Sequence, residues 1–491
     1  MTNQTSSAYE RYEPVIGVEV HIQLMTATKI FCRCPNIPLS PANTNICEVC
    51  TGQPGALPVL NKAVVESAIT VGLATQCTIN TTSIFARKHY FYPDLPKSFQ
   101  ITQADFPIAE HGLLIVPRED GSTFKVRIRR IHIEEDAGKN IHAPDNSSSL
   151  VDLNRAGTPL LEIVSEPDMH SAADVRLYLK ELHAIITTLG VCSGNMEEGA
   201  FRADTNISVR LKGATQLGTR CELKNINSFK FISDATTYEI DRQIELIEQG
   251  EKITQQTRLW DTRKRVTVPM RSKEEAADYR YMPEPDLPYL VVDAELQKTI
   301  QKNLPEMPAQ RLERLKQQYH LTSAEATILA YDIPLMRYYE AAAQHTTSPK
   351  LINWILRDVL AYLKEHDQSI ADCLLATSFL KPKHIAELVQ LVEQGVINAR
   401  SGQEVFVELA TTGKSPATIV EEKGLDTTGS LEELTTTAEQ VLHDHPQQLA
   451  DYRNGNTKLW GFFVGKVMAK TQGRADPKLI NDVLKKLLTP L

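Results

Sequence analysis

Between Gly17 and Leu24 apolar and polar residues alternate without a break, the period of a half-buried β-strand. Val18, Val20, Ile22 and Leu24 share one face; Glu19, His21 and Gln23 share the other. The pattern returns at 124–134, where Phe124, Val126 and Ile128 are followed by a slip of phase to Ile131 and Ile133. That slip predicts a bulge near Arg129–Arg130, which re-aims side chains and leaves His132, Glu134 and Asp136 on one polar face. Residues 160–165 are more apolar, with Glu162 standing alone in the run Leu-Leu-Glu-Ile-Val. Residues 201–211 alternate cleanly, with Arg202, Asp204, Asn206, Ser208 and Arg210 facing one way. Lys224 and Asn225 follow in a short strand at 222–226, before a helix over 229–249 that Gly250 ends.

From about residue 295 the period becomes helical, which sets the main domain boundary. The pattern predicts helices at 309–319, 324–345 (broken by Pro334), 351–366, 382–393 and 401–410. Further helices are predicted at 431–443, 446–453, 458–471 and 477–488, the last with Asp476 as cap and Pro477 at its first position. A second boundary near 405 divides the chain into 1–294, 295–405 and 406–491. Gly461 and Gly465, four apart in an apolar helix, permit close helix packing.

Composition narrows the class without naming a chemistry. The 491 residues suffice for several domains, and 42% hydrophobic with 23% charged residues is ordinary for a soluble globular chain. No apolar run reaches the roughly 18 residues of a spanning helix, and residues 1–10 lack a basic, then apolar, leader. A cytosolic, reducing setting is therefore expected. A net charge of −8 argues against nucleic-acid binding by overall charge but leaves room for a basic patch.

Four groups of residues can carry chemistry. Cys32-Arg-Cys34, twelve intervening residues, and Cys47-Glu-Val-Cys50 match a four-thiolate zinc site, read as structural because the loop holds no other catalytic group. Glu19, His21, Glu134, Glu135, Glu162 and Asp204 lie on four strand-like segments and suit Mg²⁺ with phosphate oxygens. Taken singly, each is a solvated or paired surface group; the metal reading needs the four strands to share a face. Aromatics interleaved with Arg and Lys at 87–97 and 278–286 can stack on bases and hold phosphates, or form proline-stiffened loops. The C-terminal helices concentrate Lys458, Lys466, Lys470, Arg474, Lys478, Lys485 and Lys486, a solvated face or an RNA-backbone contact. No P-loop, dinucleotide-binding Gly-x-Gly-x-x-Gly or Gly-x-Ser-x-Gly elbow occurs, so any nucleotide is held another way.

Taken together, the motifs resemble one family. They are Gly17-Val-Glu-Val-His-Ile-Gln-Leu24, Arg87-Lys-His-Tyr-Phe-Tyr-Pro-Asp-Leu-Pro-Lys97, His132-Ile-Glu-Glu-Asp-Ala-Gly-Lys139 and Val151-Asp-Leu-Asn-Arg-Ala-Gly-Thr-Pro-Leu160. Glu162-Ile-Val-Ser-Glu-Pro-Asp168, Met196-Glu-Glu-Gly199, Arg202-Ala-Asp-Thr-Asn-Ile-Ser208, Glu222-Leu-Lys-Asn-Ile-Asn-Ser-Phe229 and Asp278-Tyr-Arg-Tyr-Met-Pro-Glu-Pro-Asp286 continue in the family's order. The chain resembles the B subunits of aspartyl/glutamyl-tRNA amidotransferases, the GatB family. Gly461-Phe-Phe-Val-Gly-Lys-Val-Met468 with Asn481 is similar to a YqeY-related tail.

The resemblance implies an α+β fold: a mixed-sheet cradle domain, a helical middle domain and a small helical tail. It implies ATP- and Mg²⁺-dependent phosphorylation of the side-chain carboxylate of a misacylated Glu-tRNA(Gln) or Asp-tRNA(Asn), in a heterotrimer with an A subunit that delivers ammonia and a C subunit. By residue it carries the Mg²⁺ ligands to Glu19, His21, Glu134 or Glu135, and Glu162, with Asp204 as a further contact. Alternation favours Glu134 over Glu135, and the bulge leaves that register open. Lys88, Arg202, Asn206, Lys224 and Arg280 are expected to contact phosphate or carboxylate, and Lys466, Lys470 and Arg474 the tRNA. The four cysteines match the zinc-bearing members. At 258–261 the chain reads Arg-Leu-Trp-Asp, so Arg258 keeps the first place of an Arg-x-Trp-Asp pattern. The competing reading is a non-catalytic tRNA-binding module with structural zinc, its acids merely solvated.

Overall fold

The computed structural model describes residues 10–37, 40–118, 120–143, 145, 147–270, 278–426, 431–471, 475 and 477–488. It divides into two compact units, Met1–Gln310 and Arg311–Leu491. In the first, chain order runs β1 (Tyr12–Gln23), α1 (Lys62–Ala74), β2 (Thr78–Ile79), β3 (Thr82–Ser83), β4 (Ala86–His89) and β5 (Phe99–Thr102). There follow β6 (Ala109–Pro117), β7 (Thr123–Glu135), β8 (Lys139–His142), β9 (Ser149–Asp152) and β10 (Pro159–Ser165). Next come α2 (Ala172–Leu189), β11 (Phe201–Leu211), β12 (Cys221–Ile226) and α3 (Phe229–Glu248). The last strands are β13 (Gln256–Asp261), β14 (Val266–Pro269), β15 (Met282–Pro283) and β16 (Leu290–Val291).

Nine strands make one sheet in the order β14-β13-β12-β11-β1-β10-β7-β6-β2. Its pairs are antiparallel except for β12 beside β13. β1 starts five residues before the clean alternation, because Pro14-Val15-Ile16 forms an apolar run that pairs with Val209, Ser208 and Ile207 of β11. Val18, Val20 and Ile22 are buried in one core with Ile133, Leu161 and Ile163 of neighbouring strands and with Ile69, Tyr178, Leu182 and Ile232 from the three helices. The opposite face of these strands is left polar. The expected bulge is present: Val164 lies opposite Arg130 and the next residue, Ser165, opposite Ile128, so Arg129 is the extra residue of β7.

The helices begin where side chains cap them. Asn61, Ser171 and Ser228 accept hydrogen bonds from the first-turn N–H groups of α1, α2 and α3. Arg258 proves to belong to the scaffold. Buried on β13, it donates through Nε to Thr267 Oγ1 (2.8 Å) and lies 3.3 Å from Glu239 Oε2, whose other oxygen pairs with Arg242 at 2.6 Å.

The second unit is helical, with two apolar cores. One gathers residues from Leu315 to Leu425, the other from Leu434 to Leu488. The helix Ala399–Thr412 runs across the expected 405 boundary, and its Val405, Phe406 and Leu409 share the first of these cores with Ile419, Val420 and Leu425. By packing, the change of core therefore follows Leu425. Likewise the compact-unit division at Gln310/Arg311 comes after, not at, residue 294. Between Leu351–Asn353 and Leu360–Glu365 the chain adopts a π-helix, Trp354–Val359, where a plain helix was expected. The pair Gly461 and Gly465 does not mediate close packing: a Cβ built on either meets nothing within 4 Å. Asp476, the expected cap, lies outside the described residues. No helix among the described residues is long and apolar enough to cross a membrane.

Glu239 holds two guanidinium groups in a buried setting, so removing it strands both charges. Glu239→Ala is expected to cost about 3–5 kcal/mol, read as a lower urea midpoint.

Candidate functional site

The antiparallel register lines up one polar row across four adjacent strands. His21 of β1 lies opposite Glu162 of β10 on one side and Arg202 of β11 on the other, and Glu162 lies opposite His132 of β7. Cross-strand partners point to the same face, so the acids and imidazoles of β1, β10 and β7 converge, with Arg202 of β11 beside them. Glu162 Oε2 lies 3.3 Å from His21 Nε2 and 3.0 Å from His132 Nε2. Glu134 Oε1 lies 3.4 Å from His21 Nε2, and its Oε2 lies 3.7 Å from His132 Nε2. Thr102 of β5 donates to Glu134 at 3.3 Å.

These groups shape one another's protonation. Burial acts against the imidazolium at His21 and His132, but the two carboxylates overcome it and hold them up, at about 10 and about 9. In turn burial disfavours the ionised carboxyls, yet the imidazoles keep Glu134 at about 2 and Glu162 well below the carboxylate range.

A second row begins one step along β1. Glu19 lies opposite Val164 and Asp204, and accepts from Asn206 Nδ2 at 3.1 Å. Burial first, and then the charges of Glu162 and Glu222, raise its carboxyl pKa. Lys224 of β12 bridges Asp204 (3.1 Å) and Glu222 (3.0 Å), and these acids outweigh burial to raise its ammonium pKa.

A cavity of about 600 Å³ opens over this face, lined by His21, Lys88, Glu134, Asp136, Arg202, Asp204 and Lys224 among others. Its wall at β4 joins two segments that lie about 190 residues apart in the chain. β4 pairs with β15, Arg87 forms a two-pronged ion pair with Glu284 (2.8 and 2.9 Å), and Lys88 Nζ sits 4.7 Å from the Tyr279 ring centre. Burial acts against the Lys88 charge, but Glu134 and neighbouring groups raise its pKa overall. The basic and aromatic stretches thus form one structure.

The sequence-based candidates separate on this geometry. His21, Glu134 and Glu162 each offer a ligand atom within 4.8 Å of the others. An octahedral ion with ligands near 2.1 Å puts adjacent donors about 3.0 Å apart, close to the 3.3 and 3.4 Å seen here. Two carboxylates and an imidazole, with Lys88 and Arg202 nearby for phosphate, fit a divalent cation. Glu135 is not part of the group. It points to the other side of β7, where its Oε1 accepts from Ile101 N (2.8 Å) and pairs with Lys97. Glu19 and Asp204 lie in the neighbouring row. Arg280 is exposed and is not among the cavity-lining residues. In the second unit Lys470 pairs with exposed Asp444 at 3.0 Å and Lys466 Nζ lies 5.4 Å from the Phe462 ring centre; Arg474 lies outside the described residues.

Asp136 escaped the sequence reading as a site residue. Its Oδ2 accepts from Arg202 Nη2 (3.0 Å) and Gln23 Nε2 (3.2 Å), with Arg155 Nε 3.5 Å away. The alternation His132-Glu134-Asp136 was the available signal. Gln23, on the polar face of β1, is thereby part of the cavity's support.

Cys32, Cys34, Cys47 and Cys50 also offer ligand atoms within 4.8 Å of one another. Cys47 and Cys50 Sγ atoms lie 3.9 Å apart, against about 3.8 Å for the edge of a tetrahedron with 2.3 Å zinc–sulfur bonds. A bond with Cys32, set against the cost of burial, holds the Cys50 thiol down at about 5. The set fits zinc.

Residues 14–298 match the GatB/GatE catalytic domain, and residues 337–488 match the GatB domain. The chain belongs to the GatB family. Relatives named as B subunits of aspartyl/glutamyl-tRNA(Asn/Gln) amidotransferase include the Myxococcus xanthus protein, 48% identical over 97% of this chain and 98% of its own length. Those of Thermodesulfovibrio yellowstonii (48%) and Persephonella marina (49%) each share 97% of this chain and 99% of their own. The GatB/GatE catalytic match takes in the nine-stranded sheet except Tyr12 and Glu13 at the start of β1, and every residue lining the cavity.

The geometry separates the adjacent acids of this GatB chain. Glu134→Gln is expected to weaken Mn²⁺ binding more than about tenfold, over about 1.4 kcal/mol, in a paramagnetic titration. Glu135→Gln is expected to leave Mn²⁺ binding unchanged.

Proposed function

We propose that this chain is the B subunit of a glutamine-dependent aspartyl/glutamyl-tRNA(Asn/Gln) amidotransferase, a ligase that forms a carbon–nitrogen bond. The observation that carries the reading is the convergence of His21, Glu134 and Glu162 under a cavity rimmed by Lys88, Arg202 and Lys224, within a chain of the GatB family. A non-catalytic tRNA-binding module would have no use for a converging set of acids, which repels RNA phosphate unless a cation intervenes.

The reaction brings together ATP and the side-chain carboxylate of a glutamate or aspartate misattached to tRNA. A carboxylate oxygen attacks the γ-phosphorus, ADP leaves, and ammonia then displaces phosphate from the acyl carbon to give the amide. Both reactants are anionic, so their approach requires neutralisation in a setting that holds the donors in place. His21, Glu134 and Glu162 would hold Mg²⁺, with Glu19 and Asp204 in the next row as outer contacts. When bound, the ion supplies positive charge to phosphate oxygens and to the leaving group. Lys88, Arg202 and Lys224 would contact phosphate or carboxylate, and Asp136 fixes the Arg202 guanidinium. Thr102 and the two imidazoles hold the Glu134 carboxylate in one orientation.

Structural zinc on Cys32, Cys34, Cys47 and Cys50 would support folding. Lys466, Lys470 and Arg474 would contact tRNA backbone. An A subunit releasing ammonia from glutamine and a C subunit would complete a heterotrimer, working in the cytoplasm where charged tRNA is used.

The test is reconstitution with A and C subunits on misacylated Glu-tRNA and Asp-tRNA. ATP-dependent amidation is expected with at least one of them. Glu162→Gln is expected to lower kcat by about 10²-fold or more with tRNA affinity unchanged. Full turnover by the Glu162→Gln complex would favour the binding-module reading instead.

A further inference from the structure

Lys29 is among the most deeply buried side chains in the protein, with 1% of its surface exposed. Buried lysines are ordinarily paired with an acid. Here the ammonium reaches the backbone oxygen of Asn45 (2.9 Å) and Cys50 Sγ (3.8 Å), and no carboxylate pairs with it among the described residues. Among the described residues, the anionic group within its reach is therefore the cysteine cluster, through Cys50. The residue is also held there from several sides. Its backbone N–H donates to the Cys34 carbonyl (2.9 Å), and the Asn61 side chain donates to its own carbonyl at 3.4 Å. Gly157 stands so close that an added Cβ would lie 3.5 Å from Cys50 Cβ and 3.6 Å from Lys29 Cδ.

A tetrathiolate around a divalent cation carries two negative charges in excess, an unfavourable load beneath a protein surface. Cys50 is the buried member of the four, and its sulfur already accepts from Cys47 N at 3.1 Å. We propose that Lys29 is a positioning residue of the four-cysteine metal centre, donating to Cys50 Sγ and offsetting one of the two excess charges so that the centre retains its metal. The inference rests on the zinc reading above and adds the lysine to it. It also accounts for the buried ammonium, since charge is compensated in both directions: the thiolates need a cation beyond the metal, and the lysine needs an anion.

The test uses the full-length protein and K29M, which keeps the length of the stem and removes the charge. Zinc content is measured first, then zinc affinity by chelator competition. K29M is expected to bind zinc about 10–100-fold more weakly. In Co²⁺-substituted protein its thiolate-to-metal charge-transfer band is expected to move to lower energy, because a sulfur without its N–H donor is the richer electron source. Equal zinc affinity and an unmoved band in K29M would overturn the role of Lys29 while leaving the zinc site standing. Absence of zinc from the wild-type chain would overturn both. If K29M does not fold as isolated, thermal melts are run against added zinc. Recovery toward the wild-type midpoint in saturating zinc supports a defect in metal retention, and no recovery overturns it in favour of a packing role.

Discussion

Val18, Val20 and Ile22 are buried against the helices, and Glu19, His21 and Gln23 lie between them on the other side of the sheet. A slip of β1 by one residue would exchange the two sets. Three apolar side chains worth about 1.5–3 kcal/mol each on burial would then face the cavity, and a carboxylate and an imidazole would enter the core. The register is therefore fixed by the apolar face, while the chemistry sits on the polar one. Once β1 is fixed, its neighbours follow: β10 must present Glu162 beside His21, and β11 must present Arg202 and Asp204. The bulge at Arg129 then lets β7 keep its apolar residues inward while His132 and Glu134 join the same face.

The site built this way holds opposed charges at short range in a poorly solvated place. Glu134 and Glu162 stay ionised because His21 and His132 lie beside them, and the imidazoles stay protonated for the same reason. The site's pairings are the ones a divalent cation would replace: two carboxylate oxygens and an imidazole nitrogen turned to a common point. Lys224 between Asp204 and Glu222 gives the next row the same character. A face with compensated charge can accept polyanionic ligands by exchanging partners, without ever presenting a bare acidic surface to them.

How much of this could be read from the sequence depended on whether the deciding contact was local. β11 was legible to its ends because alternation is a property of eleven consecutive residues. The helices Pro382–Glu393, Pro446–Arg453 and Pro477–Leu488 start at prolines, and their limits were legible too. Which of Glu134 and Glu135 faces the cavity was not, since Glu135 is held by Ile101 and Lys97 on another segment. Asp136 was passed over because its partners Arg202, Gln23 and Arg155 come from three other places in the chain. The joining of 86–89 with 282–283 was out of reach for the same reason. Gly461 and Gly465 misled in the opposite sense, a local pattern without a neighbour to pack against.

The cysteine loop and the cavity, which look unrelated in the sequence, share the segment 151–158. Asn43 bonds to Asp152, Val151 and Leu153, and Asn45 N donates to Asn154. Ile30 N donates to Gly157 O, close to Cys50, and Gly157 N in turn donates to Asp136 O. Arg155 binds the carbonyls of Ala137 and Gly138. Asp136 is thus held on its backbone by residues that the cysteine loop itself holds, and it is Asp136 that orients Arg202. A metal held by the four cysteines, as proposed, would take no part in the cavity's chemistry, yet it would stiffen the frame on which one of the cavity's cationic side chains is aimed. Support of the cysteine loop and geometry of the cavity are here two consequences of the same set of hydrogen bonds.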